Sequence, residues 1–203
     1  MASSDEPNAQ KLSHKERLLR QGTRTFYSRG FHGTTVDMLL AESGVPKGSF
    51  YHHFGSKETF GQAVLERYNQ YQETRLRHWL TVDGMRLADR ISGYFHEMTE
   101  SFIGSGYERG CLAGKFATEV ASTSAVFRAQ LDTDLRTLKA LLVTALEQGQ
   151  QDGEVRTDRG PDDIADSLLA LIQGAFVIAL ATRDAHSLDA VNAALVDQIV
   201  PRI

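Results

Sequence analysis

Apolar residues recur at three- and four-residue intervals along almost the whole chain, and nowhere does a convincing two-residue alternation mark a strand. Ser13 and Glu16 form a capping box ahead of Leu18, Leu19 and Phe26, and Gly30 closes the segment, so a first helix is predicted over about 14–29. Thr35 caps a second, Val36 to Ser43, ended by Gly44; a third, short helix runs from Pro46 or Lys47 to His53. Ser56 caps a longer one with Phe60, Val64, Leu65, Tyr68 and Leu76 on its apolar side. Breaks at Asp83-Gly84, 104–110, 122–124, 149–161 and 184–187 separate amphipathic helices predicted at about 85–103, 111–121, 125–149, 162–183 and 188–200. The chain reads as an all-α protein of about nine helices.

The second and third helices, joined through Ser43, Gly44 and Val45, have the lengths and the turn of a helix-turn-helix, whose later helix enters the major groove of DNA. Helical spacing in GVPKGSFYHHF sends Val45, Phe50 and Phe54 to one side, toward Phe26, Val36 and Leu39. Lys47, Ser49, Tyr51, His52 and His53 remain around the exposed end, and Gly48 permits close backbone approach. Lys57 opens the next helix, where a cation opposes the dipole unless a phosphate lies between them. Thr34 and Thr35 supply hydroxyls and free amides for another phosphate. Neighbouring histidines point apart, so His52 and His53 do not form a chelating pair; no metal site and no cofactor are expected. Tyr51 has a plainer reading as a brace for its own short helix.

Charge sharpens this picture. Residues 11–60 carry eight Lys/Arg against four acids, whereas the remainder from residue 61 carries fourteen against twenty. A basic head on an acidic body points to a polyanionic partner for the head alone. One cysteine, Cys111, excludes an internal disulfide framework and fits a reducing compartment. The polar start, residues 1–12, is expected to be a mobile tail rather than a leader, and the greasy run Leu168–Thr182, fifteen residues interrupted by Gln173, falls short of a bilayer span of about 20. A cytoplasmic protein without a membrane partner is expected. Nucleophile elbow, P-loop, dinucleotide fingerprint and Glu-x-x-His pairs are all missing from the sequence, which argues against an enzyme; a pure interaction scaffold would not need the basic head.

The stretch FYSRGFHGTTVDMLLAESGVPKGSFYHHFGSKETF, Phe26 to Phe60, resembles the N-terminal domain of the TetR family of bacterial transcriptional regulators in order and spacing. Leu40 and Ser43 depart from the alanines common in the family. The resemblance implies a DNA-binding domain over 13–58 and a larger helical domain over 59–203 that binds a small effector and dimerises. It also implies DNA contacts from Thr35, Lys47, Gly48, Ser49, Tyr51, His53 and Lys57, and a homodimer on a pseudo-palindromic operator, most often as a repressor.

In the larger domain, the helix predicted at 162–183 is apolar around more than one face, which suits a core on one side and a subunit interface on the other. Leu168, Ile172, Ala175, Phe176 and Ala179, with Leu195 from the last helix, are the expected dimer contacts. Cys111 follows a glycine at a helix start near Arg109 and Lys115, a setting that favours thiol reactivity. The GCL segment is similar to one in electrophile- and oxidant-sensing members of the family, which implies a thiol sensor; the plainer reading is a small buried hydrophobe. Trp79, Tyr94, Phe95, Met98, Phe102, Phe116 and Phe176 are further candidates to line an effector pocket, and Glu119 and Arg128 to orient a polar ligand.

Overall fold

The computed structural model describes residues 12–201, so the segment expected to be a mobile tail lies almost wholly outside the described residues. Among the described residues there are nine helices and no strand: α1 His14–Arg29, α2 Val36–Ser43, α3 Lys47–Phe54, α4 Lys57–Leu80, α5 Leu87–Gly104, α6 Leu112–Val120, α7 Ala125–Gln151, α8 Pro161–Thr182 and α9 His186–Ile199. The caps explain why the boundaries match the predicted ones so closely. Ser13, Thr35, Ser56 and Ser124 each accept a backbone N–H from the third residue onward, satisfying donors that a helix start otherwise leaves unpaired. Pro161 occupies the first turn of α8, where its missing N–H costs nothing.

Two apolar cores form. One gathers α5, α8, α9 and parts of α4 and α7 around Phe95, Phe102, Leu146, Leu168 and Phe176. The other holds the head: Leu18, Phe26, Leu39, Val45, Phe50 and Phe54. This second core does not stop at residue 58. It continues through Phe60, Val64, Leu65 and Tyr68 of α4, takes in Leu112, Phe116 and Val120 of α6, and ends on Phe127 and Leu131 of α7. Phe116 packs edge-on to Phe26 at 5.3 Å and Phe127 edge-on to Phe31 at 5.0 Å. Such pairs contribute about 0.5–1.5 kcal/mol each beyond area burial, so α6 and the first turns of α7 share one core with the head.

α8 is a 22-residue helix, longer than the apolar run alone suggested and, by length and composition, long enough to cross a membrane. Ile164, Ala165, Leu168, Ile172, Ala175, Phe176 and Ala179 nevertheless face the protomer core, where α8 packs against α7 and α9.

Candidate functional site

The head is held by polar clasps that leave one face open. Gly44 adopts φ 61° and ψ 30°, a left-handed conformation that favours glycine, and its N–H donates to Leu40 O at 2.9 Å to stop α2. Arg17 of α1 reaches across to donate to Ser43 O at 2.5 Å, capping the end of α2 with a cation, where the helix dipole favours one. Glu42 accepts from Gln21 at 2.6 Å and from Thr25 at 2.9 Å. These contacts fix α2 on α1, and α3 follows after only Gly44, Val45 and Pro46.

On α3, Phe50 is fully buried and Phe54 nearly so, while Lys47, Gly48, Tyr51, His52 and His53 are exposed. Tyr51 is 47% exposed even though its ring meets Phe50 edge-on, so it projects outward rather than serving only as a brace. A Cβ built at Gly48 meets nothing within 4 Å, so the backbone there is open to close approach from outside. Lys47 Nζ lies 3.4 Å from Asp37, an exposed pair that costs little to open. Ser49 is half-buried and shares a 2.9 Å hydrogen bond with His14, an α1 residue that the sequence reasoning missed because no local motif marks it.

Two of the predicted phosphate contacts are placed differently. Thr34 is fully buried and its hydroxyl donates to Gly30 O at 2.7 Å, so it braces the α1–α2 turn and is not presented to solvent. Thr35, by contrast, is exposed and caps α2. Lys57 Nζ sits 4.5 Å over the Phe31 ring; desolvation pulls its pKa down, with the Glu119 charge opposing. The cation that seemed misplaced at a helix start is therefore matched within the protein, by a ring face and a nearby carboxylate.

Below the head, α6 works as a strut. Cys111 is its N-cap: the sulfur accepts from Gly114 N at 3.4 Å, from Gln173 Nε2 of α8 at 3.0 Å and from the Tyr68 hydroxyl of α4 at 3.6 Å. One turn on, Lys115 Nζ donates to Tyr27 O at 2.7 Å, meeting a carbonyl in the last turn of α1. A further turn on, Glu119 accepts from Phe31 N at 2.7 Å and His32 N at 3.4 Å. The thiol, the end of α1 and the turn into α2 are thus joined by nine residues of helix. Glu119 thus holds the turn into α2 while also lining the cavity beside α6, and Arg128 donates to Ala121 O at 2.9 Å.

Cys111 is half-buried and lines two cavities. The wider, of about 340 Å³, runs past Tyr27, Lys115, Gln173 and Phe176; a small one of about 40 Å³ lies toward Tyr94, Leu138 and Ile172. Trp79, Phe102 and Phe116 line neither. Trp79 donates to Glu97 at 2.7 Å, Phe102 stacks edge-on to Phe176 inside the large core, and Phe116 belongs to the core of the head. Helical spacing marked the burial of Phe102 and Phe116, which is packing against protein, while Trp79 is only partly buried.

The residues expected at the dimer interface are likewise internal. Leu168, Ile172, Ala175, Phe176, Ala179 and Leu195 are all buried within the protomer, as are Leu188 and Ile199 of α9. The stripe that α8 shows outward is Ala170, Gly174, Val177, Ile178 and Ala181, with Val177 63% and Ile178 52% exposed. It borders an open depression shared with Val191 and Gln198 of α9.

Comparison with known proteins agrees with this architecture. Residues 18–64 match a family described as bacterial regulatory proteins, tetR family, and residues 88–195 match a tetracyclin repressor-like C-terminal domain. The chain is 37% identical over 175 residues to the HTH-type transcriptional repressor NemR of Escherichia coli strain K12, covering 86% of this chain and 88% of that one. It is 32% identical over 187 residues to the HTH-type transcriptional repressor DhaR of Mycobacterium sp. strain GP1, covering 92% of each. Among solved structures, the reduced form of E. coli NemR superposes with a TM-score of 0.85 at 35% identity, over 94% of this chain and 99% of that one. A regulatory protein TetR from Rhodobacter sphaeroides superposes with a TM-score of 0.87 at 28% identity, over 94% and 100%.

Proposed function

The chain belongs to the TetR family of DNA-binding transcriptional regulators, and from that premise we propose that it is a repressor that binds a pseudo-palindromic operator as a homodimer and leaves it when the large domain is occupied or modified by a small molecule. One observation carries the DNA-binding half of this reading: α3 buries Phe50 and Phe54 and turns Lys47, Gly48, Tyr51, His52 and His53 outward as one uncovered face. Lys47 and Thr35 address phosphates, and Ser49, Tyr51 and His53 address base edges. Thr34 supports them from beneath.

Dimerisation is assigned to the outward stripe of α8, Gly174, Val177 and Ile178, with Val191 of α9. Small residues there allow close helix approach, and two-fold pairing places two α3 helices on successive major grooves, about 34 Å apart. Release follows from α6. A group added to the Cys111 sulfur, or a ligand in the cavity of about 340 Å³ beside it, competes with the Gly114 and Gln173 bonds and moves the strut that Lys115 and Glu119 tie to α1. A ligand shifts the equilibrium only by its differential affinity for the two head positions, so the effector must fit the DNA-free state better.

Replacing Tyr51 with alanine tests the interface. Loss of operator binding by an otherwise unchanged dimer is expected in a fluorescence-anisotropy titration; full retention of affinity would remove α3 from the contact surface, and loss of folding would make Tyr51 part of the scaffold.

A further inference from the structure

A third cleft, which shares Tyr27 and Phe176 with the wider cavity beside the thiol and Tyr68 and Met98 with the smaller one, opens where α1, α4, α5 and the loop before α6 meet. Its volume is about 210 Å³, and its walls carry Arg75 of α4, Arg109 of the loop, the phenols Tyr27, Tyr68 and Tyr71, and Ser101 of α5. Among the described residues no Asp or Glu lines it. Two guanidiniums and several phenols and hydroxyls stand over an apolar floor of Met98 and Phe176, and the carboxylate nearest the arginines, Glu97, lies behind the wall against Arg75.

The two arginines are prepared for different parts. Arg75 is 12% exposed; Glu97 lies 3.0 Å from its Nε on one side, and the rings of Tyr71 and Tyr94 stand 5.2 and 5.9 Å from its guanidinium carbon. Its orientation is thereby fixed, while its Nη atoms make no hydrogen bond among the described residues. Arg109 is exposed, and its guanidinium has neither a hydrogen-bond nor an ion-pair partner among the described residues. Burial pushes the phenols of Tyr27 and Tyr68 well above their ordinary pKa, so both stay neutral; the Tyr68 proton goes to Cys111 Sγ, and Tyr27 lines the same cleft as the two arginines.

We propose that this cleft binds a small organic carboxylate, with its anionic end between Arg75 and Arg109 and its apolar body against Met98, Phe176 and the tyrosine rings. Two guanidiniums with flanking hydroxyls match a carboxylate's two oxygens, and the apolar floor selects against a bare inorganic anion. The site also touches both ends of the release device. Tyr68 donates to Cys111 Sγ, and Tyr27 lies on α1, with its carbonyl taking Lys115. The inference rests on the effector reading only in giving the bound acid a regulatory role; occupancy of the site is independent of DNA.

Isothermal titration of the full-length protein with benzoate and isobutyrate, each against its neutral amide, tests the site without an operator present. At least one carboxylate is expected to bind one site per protomer, with its amide at least tenfold weaker. Arg109→Gln, a change at an exposed and unpaired side chain, is expected to lower the carboxylate's affinity about tenfold or more while leaving the ligand-free melting temperature unchanged. Absence of binding by both acids, equal binding of acid and amide, or undiminished affinity in R109Q would overturn the site. A titration of operator DNA with the bound acid present then separates the two readings: unchanged operator affinity with intact carboxylate binding keeps the site and overturns its role as an effector site.

Discussion

Gly48→Ala separates folding from DNA recognition at a single atom. Gly48 is the second residue of α3, its backbone is not in the left-handed region, and a Cβ placed there meets nothing within 4 Å. Alanine in a helix is favoured over glycine by about 0.5–1 kcal/mol, chiefly because the unfolded chain loses less entropy. At about 2–4 °C per kcal/mol for a chain of this size, G48A should melt roughly 1–4 °C higher than the parent protein. The same methyl projects from the face assigned to the groove. Forcing a methyl into a close-packed contact costs about 1–3 kcal/mol, and a dimer carries two copies, so the operator complex should lose about 2–6 kcal/mol. That is at least about 30-fold in Kd. Differential scanning calorimetry and fluorescence anisotropy on one preparation give both numbers. A variant that is more stable and binds the operator as tightly as the parent would refute the placement of Gly48 against DNA.

Other outcomes follow from the same geometry. Gly30 has φ 72° and ψ 177°, and a Cβ there would fall 2.1 Å from Glu119 Oε1, so Gly30→Ala combines a backbone penalty with displacement of the carboxylate that holds Phe31 N and His32 N. A loss of about 3 kcal/mol is expected, read as a fall of roughly 6–12 °C in Tm; an unchanged Tm would show that α6 does not clamp the head. Cys111→Ser keeps an N-cap acceptor on α6 and should retain operator binding, while N-ethylmaleimide, expected to weaken the parent complex about tenfold, leaves the variant unaffected; equal release of both proteins would eliminate the covalent route. Val177→Glu with Ile178→Glu places unpaired charge in the outward stripe of α8, a penalty of several kcal/mol in an apolar interface, and should give monomers by sedimentation; an intact dimer would move the interface elsewhere.

The elements were legible because their signals are local. A hydroxyl three residues ahead of a free N–H, a glycine after a periodic run and a proline in the first turn each act within one turn, and Ser13, Thr35, Ser56, Gly44 and Pro161 all stand where those effects require. The buried and exposed sides of α3 were legible for the same reason, since its eight residues decide their own inside and outside. What failed was assignment of partners to faces. α8 is apolar around most of its circumference, so periodicity does not say which apolar side is buried and which is exposed; the burial of Leu168 and Ala175 and the exposure of Val177 and Ile178 depend on where α7 and α9 lie. Phe116 was recognisably buried, yet its partners, Phe26 and Phe127, are 90 residues before it and 11 after it, and no spacing rule links three such positions. Thr34 and Thr35 are adjacent and chemically identical, and only the path of the α1–α2 turn sends one hydroxyl inward to Gly30 O. Arg75 and Arg109 carry no motif at all; the cleft they share exists only once α4 and the loop after α5 are brought together.

Operator recognition by the exposed face of α3 is tested most directly by an anisotropy titration of the intact protein against the DNA flanking its own gene, with a scrambled duplex of equal length, at two salt concentrations. Tight binding of one segment with two protomers per symmetric site, weakening steeply as salt rises yet exceeding the scrambled duplex at both concentrations, is the expected result. Equal affinity for the two duplexes at both salts would contradict sequence-specific recognition at that locus and, with it, the repressor reading.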